Sequence, residues 1–575
     1  MRSLIAWTRG HRARLGYLAG LALALAIGLG LRAPLLSWAA ASYRTTEAFS
    51  IEEVENVRIS TGMLHEQSAN PHAFEYPSLF YSLSVLVEAP VRAARGADWT
   101  AYLVAVRCLS LGFGLIAIVL AAELARRLGG KAAGLLTATI MATDRTMIEM
   151  STTAKPNMVQ IAFVLGGFLA LTALARSPRL RTALLAAGLF ALAAASKWLG
   201  ALGLVGLAVA PSLALASRRE PAARQGVGGL VSALARGLRE RATPASLAAP
   251  LVVFGLVLVA AMPFSLLSPR EFAYGLGQTF FAQAANRRAL PPWISFEYLR
   301  DSLGSLAILL CLGGVAWGVH RLLRWDASAR ANGVVLVFGW ALVYGLLVLF
   351  VFARLPSYVD LWIPFLAVLA GLAWAGDEGW IRPRGIRFAV AGLALVAGLS
   401  ANGSYARDRQ ARFEGDTRIA AGRWLAEHAD RGDSLLADLG VFVPDSLDQV
   451  RWNWWGNPPR LLYDETRTWG HDPIWTDNWY GGHRQLLFMN ARWVAPESLL
   501  VARPRFVVTS ADWVARRRAP GRSTWAATGY DHRLADGSAG YARVARFTPG
   551  DGVLVDGPEI LVFARSGATA PESSR

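Results

Sequence analysis

Six carboxylates lie close together near the N-terminus of the chain. They fall within 29 residues and are Glu47, Glu52, Glu53, Glu55, Glu66 and Glu75. Glu52, Glu55 and, less closely, Glu53 are spaced so that two of them can share one face of a helix. A carboxylate can act as a general base toward a hydroxyl group, or it can hold a divalent cation. The same spacing is typical of a solvated acidic helix, and spacing alone leaves both interpretations open.

A second set of candidate residues is basic and lies within or beside apolar runs. Lys197 stands in ALAAASKWLGAL (191–202), and Arg145 and Lys155 stand in DRTMIEMSTTAKPNM (144–158). All but three of the 58 basic residues are arginine, so a retained lysine is a sign that its compact ammonium matters. Such cations, near clustered carboxylates, can bind a phosphate that is joined to an acidic or hydroxylic group. They can equally be cations that extend from an apolar layer to its surface, and this alternative stays open.

The apolar run around Lys197 is too long for one membrane span. It covers residues 182–217, 36 residues in which Lys197 is the only charged side chain. As one helix the run would measure about 54 Å, whereas the hydrocarbon layer is about 30 Å thick. A lysine at that depth costs several kcal/mol, and the basic flanks favour the cytoplasmic side. The sequence therefore predicts a hairpin that turns at Lys197, near the outer surface.

The composition predicts a polytopic membrane protein. Hydrophobic residues make up 54% of the 575 residues, charged residues make up 17%, and the mean hydropathy is +0.34. The net charge of +17 is explained by basic loops between apolar runs, so it gives no argument for a nucleic-acid partner. Cys108 and Cys311 both fall in apolar runs, which argues against a disulfide framework and against a cysteine metal site.

About eleven transmembrane helices are predicted, and the first is an uncleaved N-terminal span at 15–38. With a cytoplasmic N-terminus, this count places every basic cluster in the cytoplasm. The apolar segment 76–91 is interpreted as an interfacial helix on the outer face, because a further span there would invert every later loop. The other spans are predicted at 101–124, 131–150, 156–175, 182–196, 198–217, 247–267, 301–319, 332–353, 357–375 and 386–403, and the basic clusters are 126–131, 176–181, 218–241, 321–330 and 382–387.

Three regions are predicted to face the outside: the first loop at 40–100, the loop at 268–300, and the C-terminal region. The C-terminal region alternates strand-like runs such as RFVVTS with helical stretches such as DTRIAAGRWLAEHA. This alternation predicts a soluble extracytoplasmic α/β domain at 404–565. Residues 1–403 then form the transmembrane domain, and the tail 566–575 is expected to be disordered.

Several segments of this chain occur in an order that matches a known family. They are the acidic pair Glu52–Glu53 with Asn56 after the first span, NPHAFEYPSLFY (70–81), AAASKW (193–198), ARLPSYVDLWIPFLAVLAG (353–371) and DTRIAAGRWLAEHADRGDSLLAD (416–438). Their order and sidedness resemble the GT-C glycosyltransferases, specifically the family of protein O-mannosyltransferases and the lipid A aminoarabinose transferase. The resemblance covers most of the chain.

The resemblance implies a reaction and a set of site residues. A hexosyl or pentosyl group would pass from a polyprenyl phosphate to a hydroxyl of a lipid, glycan or protein, on the outer face of the bacterial inner membrane. Inversion in a single displacement needs one carboxylate base, here Glu52 or Glu53, and the donor phosphate would be bound by Lys197, Lys155 and Arg145. No metal ligand is assigned, although a divalent ion is compatible with the carboxylates. Further donor or acceptor contacts are implied for Asn56, His72, Glu75, Tyr76, Arg354 and Tyr358.

The chain departs from the family pattern at three positions, and a second function class stays open. Glu52 stands where relatives usually have aspartate, Asn157 stands where an aspartate often follows proline, and no lysine follows Glu75. The alternative function is a flippase or transporter of lipid-linked sugar, which should carry its charges near mid-membrane. The large outer domain and the surface carboxylates favour the enzyme. The tryptophan-rich segment 451–482 is typical either of a sugar-stacking surface or of a small irregular core.

Overall fold

The structure is a computed structural model of the full chain, and its described residues fall in nineteen segments. These segments are 2–41, 49–74, 76–96, 98–219, 226–241, 244–273, 275–277, 279, 293–326, 328–350, 358–431, 433–437, 442–444, 447–452, 474–478, 482–488, 504–511, 530–549 and 557–566.

The chain divides into two compact units, and the first predicted loop (40–100) contributes to both. Unit 1 consists of Met1–Leu36, Gly62–Val87 and Ala105–Ala406. Unit 2 consists of Ser37–Thr61, Glu88–Val104 and Arg407–Arg575. The acidic segment of the first loop therefore belongs to the same unit as the C-terminal region.

Unit 1 is built from apolar helices, as the hydropathy pattern predicts. Among the described residues, seven helical segments are long and apolar enough to cross a membrane. Shorter helices lie at the other predicted spans, so each of these spans coincides with helix. The polytopic helical architecture is confirmed. In chain order the helices are α1 (Arg2–Arg32), α2 (Ile51–His65), α3 (Leu79–Arg95), α4 (Trp99–Gly129), α5 (Lys131–Thr143), α6 (Arg145–Ser151), α7 (Asn157–Arg176), α8 (Leu180–Ser196), α9 (Leu204–Arg219), α10 (Gly226–Arg241), α11 (Pro244–Ala261), α12 (Phe264–Leu267), α13 (Ile294–Leu323), α14 (Ala329–Phe350), α15 (Ile363–Ala370), α16 (Arg384–Asn402), α17 (Tyr405–Gly415) and α18 (Thr417–His428).

The predicted hairpin at Lys197 is confirmed. Helix α8 ends at Ser196, and a 3₁₀ turn at Trp198–Gly203 leads into α9. A Cβ atom on Gly200 would lie 2.4 Å from the Ala193 carbonyl carbon, and one on Gly203 would lie 2.1 Å from the Phe190 ring. Only glycine allows the returning chain to pack this closely against α8. The lysine therefore lies at the point where the chain reverses.

A buried arginine fixes the start of the turn between α5 and α7. Arg32, at the end of α1, donates hydrogen bonds to the carbonyl oxygens of Met141 and Ala142, at 3.2 and 2.7 Å. It also donates to the Ser151 hydroxyl at 2.7 Å. Between these contacts, the Asp144 carboxylate caps α6 by accepting from the amide of Met147 at 2.8 Å. The turn between α5 and α7, which carries Lys155, is thus held in place by α1.

Unit 2 contains a mixed sheet, which confirms the predicted α/β character of the C-terminal region. Its strands are arranged in the order β3-β4-β2-β1-β5-β7-β6. Strands β4, β2, β1 and β5 run parallel, and the outer strands pair antiparallel. Most of the tryptophan-rich segment and nearly all of the tail 566–575 lie outside the described residues. The strands are β1 (Ser434–Ala437), β2 (Asp448–Trp452), β3 (Ile474–Asn478), β4 (Gly482–Phe488), β5 (Phe506–Ser510), β6 (Tyr541–Phe547) and β7 (Ile560–Arg565), and a short helix α19 (Tyr530–Ala535) precedes β6.

Within unit 2, aromatic and cationic side chains join the first loop to the helices before the sheet. The rings of Trp38, Phe49 and Phe413 contact one another, with centroids 5.0–5.8 Å apart. Arg409 covers the Trp38 ring at 3.9 Å, and Arg418 covers the Phe49 ring at 4.3 Å. Cation–π contacts of this kind stabilise by about 0.5–2 kcal/mol each. They explain why this part of the loop folds with the C-terminal region.

Candidate functional site

Lys197 is held in a buried position by both its backbone and its side chain. The residue is 7% exposed and has an extended backbone, with φ −157° and ψ 130°, between α8 and the 3₁₀ turn. Its carbonyl oxygen accepts a hydrogen bond from the Gln160 side chain of α7, at 3.2 Å. Its Nζ atom lies 5.1 Å from the centroid of the Tyr358 ring. The ammonium group is therefore presented over an aromatic face at the end of a helical hairpin.

A buried carboxylate accompanies this lysine. Asp360 lies just before α15 and is fully buried. Its Oδ2 accepts a hydrogen bond from the side-chain amide of Asn157, and its Oδ1 accepts from the backbone amide of Leu361 at 2.6 Å. Both Lys197 and Lys155 attract it electrostatically. Three turns of unit 1 thus bring two cations and one anion together.

Lys155 belongs to the turn between α6 and α7. Its side chain is half-buried, and its carbonyl oxygen lies 3.5 Å from the Ser110 hydroxyl of α4. Asn157, two residues later, starts α7 and is fully buried. We refer to Lys155, Asn157, Lys197, Tyr358 and Asp360 as the lysine cluster. Its ionised groups carry a net charge of one positive unit, which suits an anionic ligand.

Arg145, the third predicted phosphate ligand, is placed in a different contact. It is exposed at the start of α6, and its guanidinium carbon lies 4.8 Å from the centroid of the Tyr405 ring. The Tyr405 hydroxyl in turn lies 3.5 Å from the Glu149 carboxylate. The exposed arginine therefore stacks on an aromatic ring, and its role in phosphate binding stays a prediction.

His72 is paired with a carboxylate that the sequence did not reveal. Its Nδ1 atom lies 3.1 Å from an oxygen of Glu271, and its backbone amide donates to the Asn70 side chain at 3.1 Å. The Asn70 amide also reaches Ser268 and Glu271, at 3.2 and 3.3 Å. With φ +50°, the His72 backbone is in the left-handed region, and the Asn70 contact helps to stabilise it there. The segment 70–74 is thus fastened to the segment 268–271, which follows α12.

Aromatic packing connects this histidine pair to the turn that carries Lys197. The Phe272 ring meets Phe74 edge-on at 5.8 Å and meets Trp198 edge-on at 5.7 Å. The Nε2 atom of His72 is buried and has no hydrogen-bond partner among the described residues. Unit 1 therefore brings His72 and Lys197 to a common region. Tyr76 is half-buried, whereas Glu75 and Arg354 lie outside the described residues.

The acidic helix of unit 2 has a buried polar face. Glu53, Asn56 and Ser60 of α2 are all buried, and their spacing of three and four residues places them on one side of the helix. Glu52 is half-buried, and Glu55 forms an ion pair with Arg58 at 2.8 Å. A helix whose carboxylates are merely solvated would not bury Glu53. Among the described residues, no three His, Cys, Asp or Glu side chains form a metal cluster.

A second buried carboxyl group faces this helix. The Ser60 hydroxyl donates to Oε1 of Glu88 in α3 at 2.7 Å, and Oε2 of Glu88 is buried without a hydrogen-bond partner among the described residues. Burial raises the pKa of Glu88 from 4.5 to about 8, and the hydrogen bond from Ser60 offsets this effect in part. Glu88 is therefore protonated at neutral pH, and its role in the fold is that of a neutral side chain.

Comparison with known proteins decides the fold. The sequence profile of the dolichyl-phosphate-mannose-protein mannosyltransferases matches residues 100–235. Crystal structures of ArnT from Cupriavidus metallidurans match with a TM-score of 0.51, in the apo state at 13% identity and bound to undecaprenyl phosphate at 15% identity. The apo match covers 90% of this chain and 94% of ArnT, and the bound match covers 96% and 99%. This chain has the GT-C fold.

The profile match and the fold together support a multi-pass membrane glycosyltransferase. The matched segment 100–235 includes Arg145, Lys155 and Lys197, and it therefore contains both lysines of the lysine cluster. A search of curated proteins by sequence finds no match. Asp360, Glu88 and Glu271 are the charged residues that sequence reasoning missed. The sequence does mark Asp360 as a candidate site residue, because it is a lone acidic residue at the start of an apolar run, just as Lys197 is a lone basic residue within one.

Proposed function

We propose that this chain transfers a sugar from a polyprenyl phosphate to an acceptor hydroxyl on the outer face of a bacterial inner membrane. The observation that carries the proposal is the lysine cluster on a GT-C fold: the Lys197 ammonium lies over the Tyr358 ring, two residues from the buried Asp360, whose carboxylate is hydrogen-bonded to Asn157, two residues from Lys155. The ArnT structure bound to undecaprenyl phosphate supports a polyprenyl phosphate as the ligand. Hexosyl or pentosyl donors fit this proposal equally.

The lysines would act on the leaving group. When the bond from the sugar to the phosphate oxygen breaks, negative charge develops on the phosphate. Ammonium groups fixed beforehand stabilise that charge more than they stabilise the intact donor. The low exposure of Lys197 strengthens this effect, because water screens its charge little. Arg145 would add a third cation from its place on Tyr405.

A carboxylate of α2 would act on the acceptor. Glu53 or Glu52 would take the proton of the acceptor hydroxyl as its oxygen attacks the sugar carbon from the side opposite the phosphate. One base is enough for this single displacement, and the product is inverted. The burial of Glu53, on the same helix face as the buried Asn56, supports it as the base. We assign donor or acceptor contacts to Asn56, His72, Glu75, Tyr76, Arg354 and Tyr358.

The proposed orientation places the N-terminus in the cytoplasm and the domain 404–565 outside. Cysteine tags at positions 98 and 430 should then react with an impermeant reagent on intact cells. A tag at position 225, in the predicted cytoplasmic loop, should react only after permeabilisation. Reaction at 225 in intact cells would contradict both the orientation and the outer position of Lys197.

Binding and turnover of the lipid test the function. The purified full-length chain should retain undecaprenyl phosphate in native mass spectrometry, and the Lys197→Ala variant should retain less. Asp377→Asn is the matched control, because Asp377 is an exposed carboxylate that pairs with Arg387. In liposomes with a lipid-linked sugar, the enzyme should release polyprenyl phosphate and glycosylate an acceptor. Movement of intact lipid-linked sugar across the bilayer without its cleavage would instead identify a transporter.

A further inference from the structure

Asp360 is the only residue of the lysine cluster whose charge opposes the ligand proposed for it. A buried carboxylate is costly unless hydrogen bonds and opposite charges compensate it. Both oxygens of Asp360 accept hydrogen bonds, from the Asn157 side chain and from the Leu361 backbone amide. Its electrostatic partners are Lys155 and Lys197. These contacts compensate part of the cost of burial without any ligand, and a phosphate would add to an arrangement that is already formed.

The carboxylate is attached to a rigid part of unit 1. Helix α15 follows it directly, and every residue of this helix is buried. Before it, the carbonyl oxygen of Tyr358 accepts a hydrogen bond from the Tyr344 hydroxyl at 2.9 Å, and the Tyr344 ring stacks on Trp340. Lysine side chains, in contrast, have four rotatable bonds. The rigid partner therefore determines where the flexible partner lies.

We propose that Asp360 is the positioning residue of the lysine cluster. Held by Asn157, its carboxylate keeps the ammonium groups of Lys155 and Lys197 charged and in place before the phosphate arrives. Two neighbouring cations without an anion would repel each other, and the burial of Lys197 would favour its neutral amine. This inference rests on the proposed function, because it assumes that the cluster binds a phosphate.

The inference predicts a specific change in pH dependence. Lysines bind phosphate only while they are protonated, so affinity falls at alkaline pH. Replacing Asp360 by asparagine removes an anion that favours the protonated lysines, so this fall should occur at lower pH. For opposite charges a few Å apart the displacement is about 1–3 pH units. Among the described residues, Tyr344 and Tyr358 are further titratable groups near Asp360, and neither changes in this variant.

A double variant that exchanges the side chains at positions 157 and 360 gives a more specific test. In Asn157→Asp with Asp360→Asn, the amide and the carboxylate exchange places within the same hydrogen-bonded pair. The anion stays beside Lys155, two residues from position 157, and the total charge equals that of the wild type. The alkaline fall in affinity should therefore return to its wild-type position. Asp377→Asn, an exposed carboxylate that pairs with Arg387, is the control for loss of charge elsewhere.

The experiment measures undecaprenyl phosphate binding to the full-length chain between about pH 7 and pH 10, the range in which a lysine deprotonates. We expect the affinity of Asp360→Asn for the lipid to fall at a lower pH than that of the wild type. In the exchanged variant and in Asp377→Asn, the affinity should fall at the same pH as in the wild type. Suppose that wild-type protein binds the lipid and that the affinity of Asp360→Asn falls at the same pH as that of the wild type. The inference is then overturned, and the proposed function stands. If wild-type protein does not bind, the proposed function itself fails. If Asp360→Asn does not fold, the exchanged variant decides the question. A loss of its lipid affinity at a lower pH than in the wild type would overturn the inference.

Discussion

The buried Glu88 carboxyl makes the stability of unit 2 depend on pH. Its pKa is about 8 in the folded chain and 4.5 in an ordinary exposed site. Between these values the folded state holds a proton that the unfolded state has lost, so the free energy of unfolding decreases as the pH rises. Each pH unit of this interval corresponds to about 1.4 kcal/mol, and full ionisation therefore removes about 5 kcal/mol. The stabilisation is complete below 4.5 and is lost as the pH rises through 8.

The variant Glu88→Gln should abolish this dependence. Glutamine is neutral at every pH, and its side-chain oxygen can still accept the hydrogen bond from Ser60. Amide hydrogen exchange of the full-length chain measures local opening of the segments around Ser60 and Glu88. Exchange in the wild type, corrected for its intrinsic pH dependence, should accelerate strongly between about pH 5 and pH 8, because in this interval the folded state holds a proton that the opened state has lost. In the variant the corrected exchange should stay nearly constant.

Glu55→Gln is the matched control for this experiment. Glu55 lies on the same helix as Ser60, and its ion pair with Arg58 is partly exposed. Surface pairs contribute about 0–1 kcal/mol, so this variant should keep the wild-type pH dependence. Equal pH dependence in wild type and Glu88→Gln would refute the assignment of the effect to Glu88. Tyr102 also interacts with Glu88 electrostatically, so Tyr102→Phe tests whether the neighbouring hydroxyl contributes.

Two further predictions concern the proposed chemistry. Glu53→Gln should lower turnover by about 10²–10⁴ while undecaprenyl phosphate still binds, whereas Glu55→Gln should stay near the wild-type rate. Single-turnover assays with both variants check this prediction. A near-normal rate for Glu53→Gln would contradict its role as the base. Lys197→Ala should lower kcat by about 10²-fold or more, because a fixed donor to the leaving phosphate is lost. Lys197→Arg should recover only part of that rate, since a planar guanidinium does not fit the place of a compact ammonium. Steady-state kinetics distinguish these outcomes, and full activity of Lys197→Arg would mean that the lysine only marks a turn.

The sequence predicts the hairpin at Lys197 because the relevant constraints are local. The length of the apolar run, the cost of a charge at depth and the basic flanks all lie within about 50 residues. The sheet of unit 2 is predictable for the same reason, since strand-like runs such as β5 and β7 are recognised one at a time. The order of the strands is not, because pairing joins residues that are far apart in the chain.

The residues that reasoning from sequence missed are defined by contacts between distant segments. Asp360 and Asn157 are 203 residues apart, and Glu271 and His72 are 199 residues apart. No periodicity or spacing connects such positions. The division of the first loop between the two units is likewise invisible in composition, because it depends on aromatic contacts such as Phe49 with Phe413.

The hydrogen bond between Asn157 and Asp360 explains how this chain can have an asparagine at position 157, one of its departures from the family pattern. At position 157 this chain has an amide where the family it resembles often has a carboxylate. With an amide at position 157, Asp360 supplies the carboxylate of the pair from the opposite end of the same hydrogen bond. The sum of the charges in the cluster is what matters for the lysines, not which position carries the anion. We therefore expect a substitution at position 157 to be tolerated only when positions 157 and 360 together carry one carboxylate. Asn157→Asp alone brings two carboxylates into contact, and this variant should bind the lipid phosphate more weakly than the wild type.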